Sequence, residues 1–184
     1  MQPFKPERLA ACKELLKRLN YDPETGFFVW IKGATPQVTA RCVGKRAGRP
    51  SSRGYRALRM KIDGRRKNIA EHILAYVAMT GEYPPMQIDH IDRVRSNNAW
   101  HNLRLATQPQ QNANSALKGG TSQYRGVSWY KRSSKWRADI NIDGKLKYLG
   151  SFVNEQDAAR AYDKAALEKY GPEFYTPNLP DTAQ

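Results

Sequence analysis

An α+β chain of two small modules is what this sequence predicts, on three observations. Residues 87–117 read as strand, polar loop, strand and helix; Gly119-Gly120-Thr121-Ser122 follows as a linker; residues 124–170 read as three strands and a helix. The 184 residues, 40% hydrophobic and 26% charged, suit a soluble chain with modest cores, and two such cores fit better than one.

The elements follow in order. Leu9, Cys12, Leu15, Leu16 and Leu19 recur at helical spacing, which predicts an amphipathic helix over 6–20, stopped by the turn at 21–26. Phe27 to Ile31 reads as a strand. From Thr35 to Gly54 the composition shifts to Gly, Pro, Ser and Arg, so a mobile basic loop is expected there, suited to lying along a phosphate backbone. A hairpin is expected next, with strands at 55–62 and 65–70 turning through Asp63-Gly64, a dipeptide that accepts positive φ. A helix over 70–79, closed by Gly81 and Pro84-Pro85, leads to the second hairpin, Gln87–Ile91 with Leu103–Ala106. Pro109 lies in the first turn of a helix that runs to about Leu117, with Thr107 or Gln108 as its cap. Beyond the linker, strands are expected at 124–130, 135–142 and 145–152, the last two joined by Asp143-Gly144. A helix over 155–170 would be capped by Asn154 with Asp157 and stopped by Gly171-Pro172, before an irregular tail. Tyr55-Arg56-Ala57 to Asp63-Gly64 echoes Trp136-Arg137-Ala138 to Asp143-Gly144, which reads as two similar hairpins and not as a repeat.

Charge narrows the partner. With 31 Lys+Arg against 17 Asp+Glu the formal charge is +14, a field that attracts polyanions. It lies in two stripes: residues 41–67 hold eleven Lys/Arg against Asp63 alone, and residues 118–147 hold eight against Asp139 and Asp143. Nucleic acid is therefore the leading expected partner, and a membrane is not expected. Cys12 and Cys42 stand too far apart in sequence for a disulfide framework or a paired zinc knuckle, so no structural zinc is expected. Charged residues interrupt the first nineteen positions and no apolar run reaches spanning length; the expectation is an intracellular, cytoplasmic protein that is not secreted.

Asp89-His90, Asn97-Asn98, Asn102-Leu103-Arg104 and Asn112 carry the chemistry. Cleaving a phosphodiester needs an activated water, charge stabilisation on the phosphate and help for the departing oxygen. Asp89 and His90 end a strand and so point to opposite faces, which lets one take a metal while the other addresses water. Asn112, near a helix start, would complete the protein share of a metal site. Two oxygen ligands suit one divalent magnesium or manganese ion better than zinc.

On Ile88-Asp89-His90-Ile91-Asp92, Asn97-Asn98, Asn102-Leu103-Arg104 and Thr107 through Asn112, the chain resembles the HNH endonuclease family, of the homing kind that phages and introns encode. The resemblance spans about residues 20–115 and implies a ββα-metal fold. It implies His90 as general base, Asp89 and Asn112 as metal ligands, and Asn102 as the asparagine that braces the hairpin loop and orients the histidine. It also implies products with a 3′ hydroxyl and a 5′ phosphate. The chain has one residue more than the family between Thr107 and the last position, so Gln111 and Asn114 stand as alternatives to Asn112. His101 reads as a loop residue and His72 as structural, with a supporting role open.

Tyr124-Arg125-Gly126-Val127, Lys135-Trp136-Arg137-Ala138, Tyr148-Leu149-Gly150-Ser151-Phe152 and Ala158-Ala159-Arg160-Ala161-Tyr162-Asp163 resemble the Apetala/ethylene-response-factor DNA-binding domain. In strand 135–142, Trp136, Ala138, Ile140 and Ile142 share one face and Lys135, Arg137, Asp139 and Asn141 the other, so one face packs while the other can meet DNA. The helix is expected to lay Ala158, Ala161, Tyr162 and Ala165 on the sheet. The resemblance places Arg125, Tyr130, Arg132, Arg137, Asn141 and Tyr148 at DNA, and Lys131 and Lys135 on phosphates. Ser128, Tyr130, Asn141 and Leu146 replace base-reading arginines, so the family's GC-rich target is not carried over.

The expected division is an N-terminal helix in 1–20, an HNH endonuclease module at 21–117, a linker at 118–122, the DNA-binding module at 123–172 and the tail at 173–184. A monomer is the expected form. The rival expectation is a non-catalytic, sequence-specific DNA-binding regulator.

Overall fold

Turn chemistry and apolar alternation set up four small antiparallel sheets, which a computed structural model describes over residues 6–62, 64–115 and 119–179, apart from the Ile62 side chain. Packing divides the chain at Thr107/Gln108 into two compact units.

In the first unit, helix α1 (Pro6–Leu16) is shorter than its periodicity predicts. Leu19–Asp22 leaves the helix as strand β1 and pairs with β2 (Phe27–Trp30), Leu19 opposite Trp30 and Asp22 opposite Phe27. The turn decides this: Asp22 accepts from Glu24 N at 2.9 Å and Thr25 Oγ1 at 2.7 Å, and Gly26 sits at φ 71°. A Cβ on Gly26 would lie 2.2 Å from Ala99 N, so glycine also admits the loop that follows β6.

The mobile loop expected over 35–54 is largely ordered. Thr35 caps helix α2 (Pro36–Cys42) by accepting from Val38 N at 3.3 Å, with Pro36 in the first turn, and Arg49–Pro50 forms β3. Ala47 is buried, which composition averaged over the segment conceals. Strands β4 (Arg56–Ile62) and β5 (Arg65–Ala70) extend β3 into a three-stranded sheet. Asp63 of the expected turn lies outside the described residues; Gly64 has φ 71°. Helix α3 (Glu71–Thr80) ends at Gly81 in the left-handed region. Cys12, Leu15, Leu19, Phe28, Leu58, Ile69, Leu74 and Val77 form this unit's core. Strands β6 (Gln87–His90) and β7 (Leu103–Ala106) close the unit, with Asp89 opposite Arg104 and His90 opposite Leu103.

In the second unit, helix α4 (Gln108–Asn114) opens the fold; its expected extension over 116–117, and residue 118 of the expected linker, lie outside the described residues. Ala113 joins a core cluster with Ile140, Ala166 and Tyr175, so packing begins this unit ten residues before the expected linker at 118–122. Strands β8 (Val127–Tyr130), β9 (Lys135–Ile142) and β10 (Lys145–Phe152) form a sheet ordered β10-β9-β8, backed by helix α5 (Glu155–Tyr170). The first strand begins three residues later than expected. Ala158, Ala159, Asp163 and Ala166 are the buried helix positions, with Tyr162 and Ala165 packed at their edge. Asn154 occupies the cap position without a side-chain cap bond; its amide donates to Asp157 at 3.3 Å instead. The tail is irregular but anchored through 179: buried Tyr175 donates to Asp163 at 2.5 Å, and Asn178 N and Leu179 N donate to the same carboxylate. Residues 180–184 lie outside the described residues. No helix among the described residues is long and apolar enough to cross a membrane.

Candidate active site

Strand alternation at the end of β6 turns Ile88 and His90 inward, leaving His90 4% exposed, while Asp89 stands on the other face. The expected divergence of Asp89 and His90 is therefore present. Asp89 meets its cross-strand partner: Arg104 donates to Oδ2 from Nη2 at 2.7 Å and Nε at 3.0 Å. An ionised carboxylate has about four acceptor sites, enough to serve a guanidinium and a cation together. As an oxygen donor, Asp89 fits a hard cation.

The loop from Ile91 to Ala99 is organised by Asp92 and Asn102. Asn102 accepts from Asp92 N at 3.0 Å and donates to Asp92 Oδ1 and to the Asn97 carbonyl, each at 2.9 Å. Asp92 also accepts from Val94 N at 2.8 Å and from Asn97 Nδ2 at 2.7 Å. Burial pushes its pKa upward, but these hydrogen bonds outweigh it and hold the carboxyl below its ordinary range. Asn102 thus ties Asp92 and Asn97 of the loop together.

The resemblance gave the orienting of the histidine to Asn102; the carboxamide found at the ring is that of Asn98. Its Oδ1 lies 3.1 Å from His90 Nε2, and Asn98 is 1% exposed. Burial lowers the pKa of His90, against raising contributions from Asn98, Asp92 and Asp89, so the imidazole is neutral near pH 7. His72 packs edge-on against His90, ring centroids 5.3 Å apart, and Tyr55 is tilted against both rings. Burial, with the His90 charge second, brings His72 down to about 4, and its Nδ1 is buried without a hydrogen-bond partner among the described residues. His101 is exposed in the single 3-10 turn Trp100–Asn102.

Asn112 lies in the second unit, exposed on α4, where Oδ1 accepts from Gln108 Nε2 at 3.1 Å. Of its alternatives, Gln111 is half-buried and Asn114 is buried at 3% exposure.

Sequence reasoning missed two features of the first unit. Glu71, fully buried, is bonded to both Arg56 and Asn98; an acid at a helix start has an ordinary dipole explanation, which hid it. A concavity of about 650 Å³ is lined by Arg41, Lys45, Arg46, Arg49 and Arg59 around Trp30 and Leu58. The basic run over 41–67 was its signal, although only the fold gathers these residues.

On the second unit's sheet, Tyr130 and Lys135 are register partners, and Tyr148 lies opposite Asp139. Arg137 is held by Asp139 at 2.7 and 2.8 Å and lies over the Tyr148 ring, and Tyr148 Oη donates to Ser151. Lys131, Arg132, Lys135 and Asn141 are exposed, and Asn141 Oδ1 accepts from Gly144 N at 3.0 Å. Arg125 does not belong to this face. Its guanidinium donates to the carbonyls of Ala113 and Thr176 and stacks on Tyr175, 4.6 Å from the centroid, so it locks α4 and the tail in place.

The first unit thus carries a strand-end Asp-His pair over an asparagine-braced hairpin loop, and the second a helix-backed three-stranded sheet, which makes this a two-unit α+β protein. Residues 70–113 match the family model described as HNH endonuclease. Another part of the chain is similar to the AP2-like ethylene-responsive transcription factor TOE2 of Arabidopsis thaliana, 42% identical over 71 residues, 39% of this chain and 15% of that protein. The uncharacterized HNH endonuclease L560 of Acanthamoeba polyphaga mimivirus is 37% identical over 94 residues, 51% of this chain and 48% of its own length. The chain thus spans less than half of each of these relatives. Among solved structures, that of the HNH homing endonuclease I-HmuI, titled for DNA binding and cleavage, aligns over 84% of this chain and 78% of its own at 21% identity and a TM-score of 0.39.

Proposed function

We propose that this protein is a DNA endonuclease of the HNH homing type that hydrolyses a phosphodiester of double-stranded DNA. The observation that carries the reading is His90: buried, and held by Asn98 at Nε2 with Asp89 diverging from it at the strand end. With the proton on Nε2, the lone pair lies on Nδ1, which can take a proton from water. The water oxygen bonds to phosphorus, the bond to the 3′ oxygen breaks, that oxygen takes a proton from solvent while His90 later returns its own to solvent, and a 3′ hydroxyl and a 5′ phosphate result. By family resemblance, Asp89 and Asn112 would be the oxygen ligands that hold a magnesium or manganese ion, which would supply charge stabilisation at the phosphate. The match of residues 70–113 to the HNH endonuclease model supports this assignment.

DNA is held by backbone attraction at the concavity of Arg41, Lys45, Arg46, Arg49 and Arg59, and at the second unit's sheet through Tyr130, Lys131, Arg132, Lys135, Arg137, Asn141 and Tyr148. His90→Ala is expected to abolish cutting of duplex DNA in magnesium or manganese while binding persists, measured by gel cleavage and fluorescence anisotropy. Undiminished cleavage by that variant refutes the catalytic assignment. A non-catalytic DNA-binding regulator is the second reading, favoured by the similarity to a transcription factor. It is chosen if the wild-type chain binds a defined site and never cuts it with either metal.

A further inference from the structure

The geometry points to Glu71 as a positioning residue that sets, through Asn98, which nitrogen of His90 carries the proton. This rests on His90 being the base of the proposed reaction. Glu71 opens α3 with its carboxylate at 0% exposure inside the first unit. A charge buried so deeply is held only against a partner. Arg56 supplies it, with Nε 3.1 Å from Oε1 and 3.2 Å from Oε2, and fixes its own Nη2 on the Ala47 and Gly48 carbonyls, each at 3.0 Å. Gly48 leaves the room: a Cβ there would lie 1.9 Å from Glu71 Oε1.

The polarity of each hydrogen bond follows from the one before. Burial pushes the Glu71 carboxyl up, and the charge and hydrogen bond of Arg56 oppose that rise; paired with this donor-only guanidinium as a carboxylate, Glu71 presents acceptors at both oxygens. Asn98 lies with one end of its amide 3.1 Å from Glu71 Oε2 and the other 3.1 Å from His90 Nε2. A carboxylate cannot donate, so the NH₂ end of Asn98 must face Glu71 and its carbonyl must face the ring. Nε2 must then carry the hydrogen, and the basic lone pair falls on Nδ1. If the Asn98 amide turned over, NH₂ would face the ring, Nε2 would accept, and the hydrogen would move to Nδ1, leaving no base there. An ion pair that only stabilised the fold would need no bond to Asn98. Here the pair is two hydrogen bonds from the imidazole and determines its tautomer.

Glu71→Gln tests polarity with little change of shape. The glutamine carbonyl satisfies Arg56, its NH₂ faces Asn98, and the Asn98 amide turns over. Expected results are a shift of His90 from the Nε2–H to the Nδ1–H tautomer, read by ¹⁵N–¹H correlation of the imidazole, and a loss in kcat of about 10²-fold or more with KM for DNA unchanged. Adding Asn98→Asp restores the order of acceptors: the new carboxylate accepts from the introduced glutamine NH₂ and from Nε2–H, and both the tautomer and most of kcat return. A wild-type His90 found as the Nδ1–H tautomer overturns the inference, and this needs no variant to fold. So does a Glu71→Gln protein that keeps the Nε2–H tautomer and kcat within twofold while His90→Ala is inactive. Cleavage that survives His90→Ala refutes the endonuclease reading instead, and the tautomer measurement then judges the hydrogen-bond order separately.

Discussion

Replacing His72 by phenylalanine should flatten the acid side of the stability profile. In the folded chain burial holds His72 at about 4, against 6.5 for an ordinary histidine. Between those values the unfolded chain binds a proton that the folded chain refuses, so stability is full above pH 6.5 and falls as pH drops toward 4. That gap corresponds to about 3.4 kcal/mol once both states are titrated, and to about 2.6 kcal/mol at pH 4.5. Phenylalanine keeps the ring beside Tyr55 and His90 and removes the buried Nδ1 that has no partner among the described residues. The variant should therefore match or exceed the wild type at pH 7 and lose about 2 kcal/mol less on going to pH 4.5. Urea titrations at both pH values, read from the NMR intensities of the α3 amides, report on the first unit alone. Equal losses in the two proteins would refute the assignment of this acid sensitivity to His72.

Two further predictions concern the basic concavity and the extent of the second unit. Changing Arg41, Lys45, Arg46 and Arg49 to glutamine should reduce the slope of log K against log salt by about 0.9 for each side chain that meets a phosphate, measured by anisotropy on duplex DNA; an unchanged slope would show that the concavity does not touch the backbone. A chain ended after Gly119 should lose α4, because Ala113 packs with Ile140, Ala166 and Tyr175 and a seven-residue helix does not persist alone; helical chemical shifts surviving at Asn112 in that truncation would contradict it.

The β4–β5 and β9–β10 hairpins were legible because Asp63-Gly64 and Asp143-Gly144 carry a steric requirement, and the β6 strand because its residues alternate between two faces. Asp89 and His90 were legible as a divergent pair for the same reason. Strand β1 was not, since Leu19 satisfies helical spacing from Leu15 and strand alternation with Tyr21 equally well, and only the Asp22–Gly26 turn decides between them. Helix α2 was hidden by averaging: Thr35-Pro36 is a cap and first turn, but it sits in a segment rich in Gly, Ser and Arg. Glu71 and Arg56 are fifteen positions apart, and each has an ordinary local reading. Nothing in the spacing announces that the pair reaches His90 through Asn98. Arg125 shows the converse, since a basic residue inside a DNA-binding motif is spent on carbonyls and an aromatic ring of its own unit.

Three carboxylates surround the proposed base, and their partners separate their roles. Glu71 is enclosed and faces a guanidinium that is itself fixed on two carbonyls, so moving it would disturb the core beneath α3. Asp92 receives a backbone N–H and two carboxamides that define the loop from 91 to 99; drawing it onto a cation would undo the bracing by Asn102. Asp89 meets the Arg104 side chain across a two-stranded ladder, a contact that organises neither the core beneath α3 nor the loop from 91 to 99. A ligand must be able to exchange partners without unmaking its scaffold. Under the proposed function, that requirement leaves Asp89 for a divalent ion, while Glu71 and Asp92 are suited to holding still the histidine and the loop beside it.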